Sequence, residues 1–221
     1  IGDAIVAFYG APIPIDQHEL WACKTAIKMQ DNLAVLREKW QEEGDRWPEI
    51  VHHMQNRIGI NTGQMVTGNM GSASRMNYTM MGDTVNLAAR LEASAKQYGV
   101  YIQIADTTYQ PNKEILVVRD LDFVRVMGKE EPVQVWELIA EKGKESEIYN
   151  KILPAYHEAL KLYKNQNFKQ AIDAFKESDT LEDMFPGRKT NPSRVYIPRC
   201  EHFLQNPPGD DWDGVWTLTS K

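Results

Sequence analysis

The chain has 221 residues, of which 42% are hydrophobic, and this is enough for one large or two small domains with a real hydrophobic core. A net charge of −6 and a sequence pI of about 5.4 argue against a general nucleic-acid binder, because such proteins use an excess of positive side chains to release counterions from phosphates. No apolar run approaches the length that spans a membrane, so we expect a soluble, intracellular chain.

Three elements are predicted in the first third of the chain. Gly2 and Asp3 lead into a continuous apolar run over residues 4–9, which is typical of a buried strand entered from a tight turn. Arg57 opens another short strand over residues 58–60. Between them, residues 17–43 have the apolar stripe of an amphipathic helix packed on a sheet, formed by Ala22, Ala26, Met29, Leu33, Leu36 and Trp40.

Residues 75–90 have the pattern of a strand, a glycine turn and the start of a helix. The apolar run 78–81 is broken at Gly82, and Asp83 is predicted to be the helix N-cap. Asn86 and Arg90 lie four residues apart, so one helical face near the positive helix end presents an amide beside a guanidinium. This pair can hold oxyanions. The alternative is a capping asparagine and a solvated arginine.

The helix is predicted to end near Gly99, and further strands are expected over residues 100–104, 115–118, 124–126 and 133–138. The last two are predicted to form a hairpin around residues 127–132. Cys23 and Cys200 lie far apart within helical patterns, so we expect buried free thiols in a reducing compartment, not a disulfide.

The composition becomes polar and helical past residue 140. A charged linker over residues 141–147 is followed by two predicted antiparallel helices joined at 164–167, a loop over 179–194 and a third helix over 195–204. The pair resembles one tetratricopeptide repeat, which cannot bury its own face and is expected to pack on the preceding domain or on a dimer mate; peptide recognition is the alternative. Trp212 and Trp216 are expected to dock on these helices.

The segment 82–92 closely resembles the signature of class III nucleotidyl cyclases, the adenylyl and guanylyl cyclases. Two further segments match in the right order: residues 1–10, and residues 57–63 followed by 68–71. The resemblance implies an α+β, ferredoxin-like catalytic domain over residues 1–140, with helices on one face of the sheet and its first strand and helix missing. A linker over 141–147 and a helical extension with a Trp-rich tail over 148–221 are expected to follow.

The resemblance implies that Asp3 is one of two aspartates that bind two catalytic Mg²⁺ or Mn²⁺ ions, which favour carboxylate and phosphate oxygens. The other aspartate, and the lysine that reads the purine in this family, are expected to precede Ile1 in a longer parent protein. We therefore expect the chain by itself to be catalytically inactive.

The resemblance also implies that Asn86 orients the ribose and Arg90 contacts the phosphate oxygens. In this family each active site lies between two antiparallel, head-to-tail catalytic domains, so a homodimer would have two equivalent sites. One subunit provides the metal aspartates and the other provides the asparagine and the arginine. Arg57 is expected near the nucleotide phosphates, with a structural role at the sheet end as the alternative.

Two positions bear on the nucleotide. Thr79 occupies the position that contacts the purine in this family, and a threonine there favours ATP over GTP. The family's hairpin usually reads Lys-Gly-Lys, and its first lysine binds the β- and γ-phosphates. Met127 stands at that place here, so that only Lys129 remains for the triphosphate.

These features predict the catalytic region of a bacterial adenylyl cyclase that forms 3′,5′-cyclic AMP and pyrophosphate from ATP. Its partners are expected to be a second copy and an upstream sensor domain, with no nucleic-acid or membrane contact by the chain itself. It is expected to be cytoplasmic, alone or as part of a membrane-anchored receptor. A regulatory pseudo-cyclase that binds nucleotide without turnover, and a guanylyl cyclase, are the alternatives.

Overall fold

The computed structural model describes residues 2–72, 74–124, 132–182, 188–209 and 211–216. Its strands are β1 (Ile58–Ile60), β2 (Val66–Ser72), β3 (Arg75–Met81), β4 (Ile102–Ala105), β5 (Leu116–Val124) and β6 (Val133–Glu141). Its helices are α1 (His18–Glu42), α2 (Glu49–His52), α3 (Asp83–Tyr98), α4 (Asp106–Tyr109), α5 (Tyr149–Lys164), α6 (Phe168–Glu182) and α7 (Pro192–Gln205). Among these described helices, none is both long enough and apolar enough to cross a membrane.

Four of the strands form one sheet in the order β1-β4-β6-β5, and β2 and β3 form a separate antiparallel hairpin. β1 and β4 are parallel, whereas β6 is antiparallel to both β4 and β5. The α+β class is therefore confirmed. The strands predicted over 115–118 and at the start of 124–126 belong to one continuous strand, β5, because a register shift between Asp120 and Asp122 bends it without interrupting its pairing with β6.

The sheet has helices on both faces, whereas the sequence had indicated one covered face. All residues of β4 are buried, and neighbouring residues of a strand point to opposite faces. Ile102 and Ile104 belong to the apolar cluster of α1, whereas Ala105 belongs to the cluster of α3, and Gln103 accepts a hydrogen bond from Ser94 of α3 at 3.3 Å. A strand that is buried on both faces shows no alternation of polar and apolar residues, so the second covered face was not evident from the sequence.

The predicted helix over residues 17–43 is confirmed as α1, but its buried side is rotated from the predicted stripe. Leu20 and Cys23 are buried together with Ala26 and Leu33, whereas Leu36 is 41% exposed. Leu20, Cys23 and Ala26, the buried residues of α1 that belong to the apolar cluster of the sheet, all lie in the first half of the helix. The sheet therefore covers only that half.

The predicted strand over residues 4–9 is wrong for the described structure. These residues pair with neither sheet, and Ile5 is 82% exposed. An apolar run becomes a buried strand only where a neighbouring strand offers hydrogen bonds, and none of the described strands does so here. The segment instead approaches the β2–β3 hairpin, with the rings of Phe8 and Tyr78 centred 6.0 Å apart.

The three predicted C-terminal helices are confirmed as α5, α6 and α7, although the loop predicted over 179–194 is shorter because α6 continues to Glu182. We call the described residues 149–216 the C-terminal extension. Trp212 and Trp216 dock on its helices as predicted, since the centres of their rings lie 5.0 and 5.2 Å from that of Phe203 in α7. Both cysteines are free and buried, as predicted.

The C-terminal extension packs on the sheet, which is the first of the two predicted arrangements. Arg119 of β5 is fully buried and pairs with Glu137 of β6 at 2.5 Å and with Glu182 of α6. Arg188 pairs with the same two carboxylates, at 3.2 and 2.6 Å. Four buried charges therefore join the extension to the sheet, and Arg119 also lies over the ring of Tyr156 at 5.1 Å.

Candidate active site

The junction of β3 and α3 presents the residues that the sequence singled out. Gly82 separates the two elements with a φ of 146°, a conformation that favours glycine, and its carbonyl accepts hydrogen bonds from the amides of Val85 and Asn86. Gly82 is thus the N-cap and Asp83 the first helical residue, so the predicted cap is one residue too late. The acidic side chain of Asp83 still lies at the positive end of the helix.

Asn86 and Arg90 are exposed on α3, about 100° around the helix from the buried Leu87 and Leu91. Four residues of helix place them about 6 Å apart along the axis. Within the described part of the chain, neither side chain has a hydrogen bond or ion pair. The amide and the guanidinium are therefore available to a ligand, which is what the oxyanion-binding interpretation requires.

The N-terminal end of α3 is fixed by a residue that the sequence analysis did not single out. Asn61, directly after β1, donates from Nδ2 to the carbonyl of Thr84 at 3.0 Å and accepts from Thr107 Oγ1 at 2.9 Å. Its position immediately after a strand, inside the matched segment 57–63, was the available signal. Asn61 holds α3 to the end of β1 and to α4.

A glycine lets β1 approach α3 closely. A Cβ at Gly59 would lie 2.1 Å from the carbonyl oxygen of Ala88 and 2.4 Å from the amide nitrogen of Glu92. Both are backbone atoms and cannot move aside without shifting the helix. Gly59 therefore sets the distance between the sheet and the helix that carries Asn86 and Arg90.

Two nucleotide-contact candidates, Thr79 and Arg57, belong to the described residues. Thr79 is half-buried on β3, opposite Gly68 of β2, and belongs to the hairpin that leads into the site. Arg57 is bound through Nε to Glu92 at 3.2 Å. Glu92 is two residues beyond Arg90, about 200° around the helix, so this contact directs Arg57 away from the Asn86–Arg90 face and supports its structural alternative.

One of the two predicted metal aspartates, Asp3, belongs to this chain. Asp3 is exposed in a turn, and the described residues include no group of three or more acidic, histidine or cysteine side chains that could hold an ion. The carboxylate of Asp3 fits one ligand position of the expected two-ion site, which needs a second carboxylate. Lys129 and Met127 lie outside the described residues, so the predicted triphosphate contact is untested.

Comparison with known proteins agrees with the motifs. The family described as "Adenylate and Guanylate cyclase catalytic domain" matches residues 1–139. The "Adenylate cyclase, terminal-differentiation specific" of Dictyostelium discoideum is 32% identical over 204 residues, 90% of this chain and 9% of that protein. "Adenylate cyclase 1" of Rhizobium meliloti is 30% identical over 62% of this chain and 20% of that protein.

Among solved structures, the adenylyl cyclase CyaB from P. aeruginosa matches with a TM-score of 0.52 and 30% identity, over 62% of this chain and 68% of that one. The chain spans a fifth or less of the two curated relatives. The Dictyostelium match is longer than the 139 residues of the family match, so it includes at least part of the C-terminal extension. With the family matched over more than half of its length, the chain belongs to the adenylate and guanylate cyclase catalytic-domain family, the class III nucleotidyl cyclases.

Proposed function

We propose that this chain is the catalytic region of an adenylyl cyclase, which converts ATP to 3′,5′-cyclic AMP and pyrophosphate. The observation that carries the proposal is the exposed pair of Asn86 and Arg90, which stand one turn apart on α3 without partners among the described residues. The relatives named as adenylate cyclases support ATP as the substrate.

In the proposed reaction, the ribose 3′-hydroxyl attacks the α-phosphorus of ATP. A new ester bond forms as the hydroxyl proton passes to solvent water, the bond from the α-phosphorus to the oxygen that bridges to the β-phosphate breaks, and pyrophosphate leaves with its electron pair. Negative charge grows on the α-phosphate oxygens and on the leaving group. Arg90 would hold these oxygens, and Asn86 would orient the ribose, so both would stabilise the transition state more than the bound substrate.

The proposed site requires two copies of the chain. Asn86, Arg90 and Asp3 are all exposed, as groups must be if they meet across an interface. In a head-to-tail homodimer, Asp3 of one copy would face Asn86 and Arg90 of the other. Two equivalent sites would result, each with an acidic and a basic half.

Divalent ions are part of the proposal through the family. Two Mg²⁺ or Mn²⁺ ions would neutralise phosphate charge and lower the barrier to attack. Asp3 would be one of their ligands, and the described residues include no group of three or more acidic, histidine or cysteine side chains that could hold an ion.

Thr79 supports ATP over GTP in this proposal. Its hydroxyl can accept a hydrogen bond from the adenine amino group, and its half-buried place on β3 gives a defined environment for such a contact. A guanylyl cyclase is the enzymatic alternative. A regulatory pseudo-cyclase is the alternative of another class, favoured by Met127 where a phosphate-binding lysine is usual.

The proposal is tested by assaying the full-length protein that contains this chain with ATP and with GTP, each with Mn²⁺. Cyclic AMP from ATP supports the adenylyl cyclase. Cyclic GMP from GTP as the main product would assign the alternative substrate. Nucleotide binding without either product would assign the pseudo-cyclase.

A further inference from the structure

The C-terminal end of α3 meets the C-terminal extension through its backbone. α3 ends at Tyr98, and Gly99 follows in the left-handed conformation with a φ of 64°. The carbonyl of Gly99 accepts a hydrogen bond from Arg188 Nε at 2.5 Å. A guanidinium at this place also complements the negative end of the helix dipole.

Arg188 is not a mobile surface side chain. Its side chain is 6% exposed, and its guanidinium pairs with Glu182 at 2.6 Å and with Glu137 at 3.2 Å. The same two carboxylates pair with Arg119 of β5. The hydrogen bond to Gly99 therefore comes from a group whose position is set by the sheet and by α6 together.

The backbone after Arg188 lies directly against the end of α3. A Cβ at Gly99 would lie 1.9 Å from the carbonyl oxygen of Thr190 and 2.6 Å from its carbonyl carbon. We call residues 188–191 the strap. No side chain other than hydrogen fits between the strap and the helix end.

A second contact holds the same end of α3. Asp122 of β5 accepts hydrogen bonds from Tyr98 Oη of α3 at 2.6 Å and from Arg199 of α7 at 2.7 Å. Val195 of α7 packs against the apolar cluster that includes Leu91 and Ala95 of α3. Strap and α7 together cover the end of the helix opposite its N-cap.

We infer that Arg188 is a positioning residue for the active site, which acts by fixing the C-terminal end of α3 and thereby the orientation of Asn86 and Arg90. The inference rests on the proposed function of these two residues. Gly59 holds α3 at Ala88 and Glu92, beside Arg90, so a tilt of about 10° that starts at the strap turns Arg90 and moves Asn86, about 6 Å along the axis from this contact, by about 1 Å. A displacement of that size can reduce turnover by up to about a hundredfold.

The inference gives the C-terminal extension a role in catalysis without any contact between it and the nucleotide. Asn61 and Gly59 fix the N-terminal half of α3 against the sheet, and the strap fixes its other end. A signal that displaces the extension would be transmitted along the rigid helix α3 to Asn86 and Arg90.

The first test distinguishes the effect of displacing the strap from the effect of backbone strain at a positive φ. Gly99→Ala forces the strap off the helix end, whereas Gly143→Ala places the same methyl group at a similar positive φ of 80° with no atom within 4 Å. Amide hydrogen exchange is followed by mass spectrometry in the 221-residue chain. We expect peptides from residues 91–98 to exchange at least about tenfold faster in Gly99→Ala and to be unchanged in Gly143→Ala. Equal exchange in the two variants overturns the inference.

The second test addresses the side chain and uses the milder Arg188→Lys beside Arg188→Ala, in case the alanine variant does not fold. Lysine keeps the charge but cannot donate to Gly99, Glu182 and Glu137 with the same fixed geometry. The control is Arg194→Ala, because the ion pair of Arg194 with Asp179 at 2.8 Å lies within the extension. Faster exchange of residues 91–98 in Arg188→Lys, and not in Arg194→Ala, supports the inference; unchanged exchange in Arg188→Lys contradicts it.

The final test is kinetic and uses the full-length protein. Arg188→Lys is expected to lower kcat for cyclic AMP formation by about tenfold or more with little change in KM, since misplaced Asn86 and Arg90 lose contacts that strengthen in the transition state. An unchanged kcat overturns the positioning role. If the unaltered protein forms no cyclic nucleotide, the proposed function fails, whereas the exchange experiments still decide whether the strap holds α3.

Discussion

The guanidinium of Arg119, in the middle of β5, and the carboxylate of Glu182, at the end of α6, form an ion pair with no exposed side-chain surface. Burial by itself disfavours the charge on Arg119, but the carboxylates of Glu137 and Glu182 outweigh it and hold its pKa above the ordinary value. A buried charge of this kind is tolerated only while its partners are in place.

Arg119→Met is therefore expected to reduce the free energy of unfolding by about 3–5 kcal/mol, because Glu137 and Glu182 lose a partner that they share. Urea denaturation of the 221-residue chain measures the change. Lys144→Met is the control, since it removes a largely exposed ion pair with Glu141 and should cost less than about 1 kcal/mol. Similar losses of unfolding free energy in the two variants would show that the buried ion pair stabilises the chain no more than an exposed one.

Gly59→Ala should destabilise the chain by about 1–3 kcal/mol or more, because the added methyl group meets the backbone of Ala88 and Glu92. Gly68→Ala is the matched strand variant, with no atom within 4 Å of the new methyl group, and should be neutral or slightly stabilising. The difference between the two thermal unfolding midpoints measures how much stability is lost when a methyl group is placed between β1 and α3. No difference would mean that α3 shifts freely.

Arg90→Ala is predicted to lower cyclic AMP turnover in the full-length protein by about two orders of magnitude or more, since it removes a transition-state contact. Its free energy of unfolding should change by less than about 0.5 kcal/mol, because the side chain is exposed and has no ion pair with a described residue. Lys96→Ala, an exposed cation on the same helix, should leave turnover unchanged. A loss of structure in Arg90→Ala would instead assign Arg90 a structural role.

The thiols provide a pH-dependent prediction. Burial raises the pKa of Cys23 to about 12, with a further contribution from Glu19, and burial raises that of Cys200 to about 12 against the opposing charge of Arg199. Above the unfolded thiol pKa of about 8.5, only the unfolded chain releases these protons. The folded chain then binds more protons than the unfolded chain, so stability should fall as the pH rises from about 9 towards 12.

At pH 8 the same two thiols should react slowly with a thiol-specific reagent in the native chain, and both should react at once in denaturant, because the thiolate is the reactive form. The reagent's absorbance measures both rates. Fast reaction of a native thiol would contradict the burial of that cysteine.

Met127→Lys is predicted to tighten ATP binding to the full-length protein, because it restores a cation at the place where the family's first hairpin lysine binds the triphosphate. Calorimetry with a non-hydrolysable ATP analogue measures the affinity. An unchanged affinity would mean that Lys129 already performs this role or that the site binds phosphates differently.

The local elements around the site could be predicted well from the sequence because their signals are local. The glycine break at Gly82, the apolar run before it and the helix end at Gly99 each depend on a few neighbouring residues, and β3 and α3 lie close to the predicted limits. The spacing of Asn86 and Arg90 then follows from helix geometry alone.

The parts that could not be predicted depend on distant residues. The apolar run at residues 4–9 has the composition of a buried strand, yet pairing depends on a neighbour that the run does not specify. The ion pair of Arg57 with Glu92 joins residues 35 positions apart, and the Arg119–Glu182 pair joins residues 63 apart. No periodic pattern predicts contacts of this kind, so the role of Arg188 was not evident from the sequence.

The shared carboxylates of Glu137 and Glu182 also bear on where this protein can be divided. The family model matches only as far as residue 139, but a polypeptide cut there would lack Glu182, Arg188 and the hydroxyl of Tyr196 that bonds to the Leu121 carbonyl at 2.5 Å. It would leave Arg119 half-paired on a newly solvated face. The end of the family match is thus not expected to be a folding boundary, and we expect the smallest autonomous folding unit that contains β5 to extend through α7.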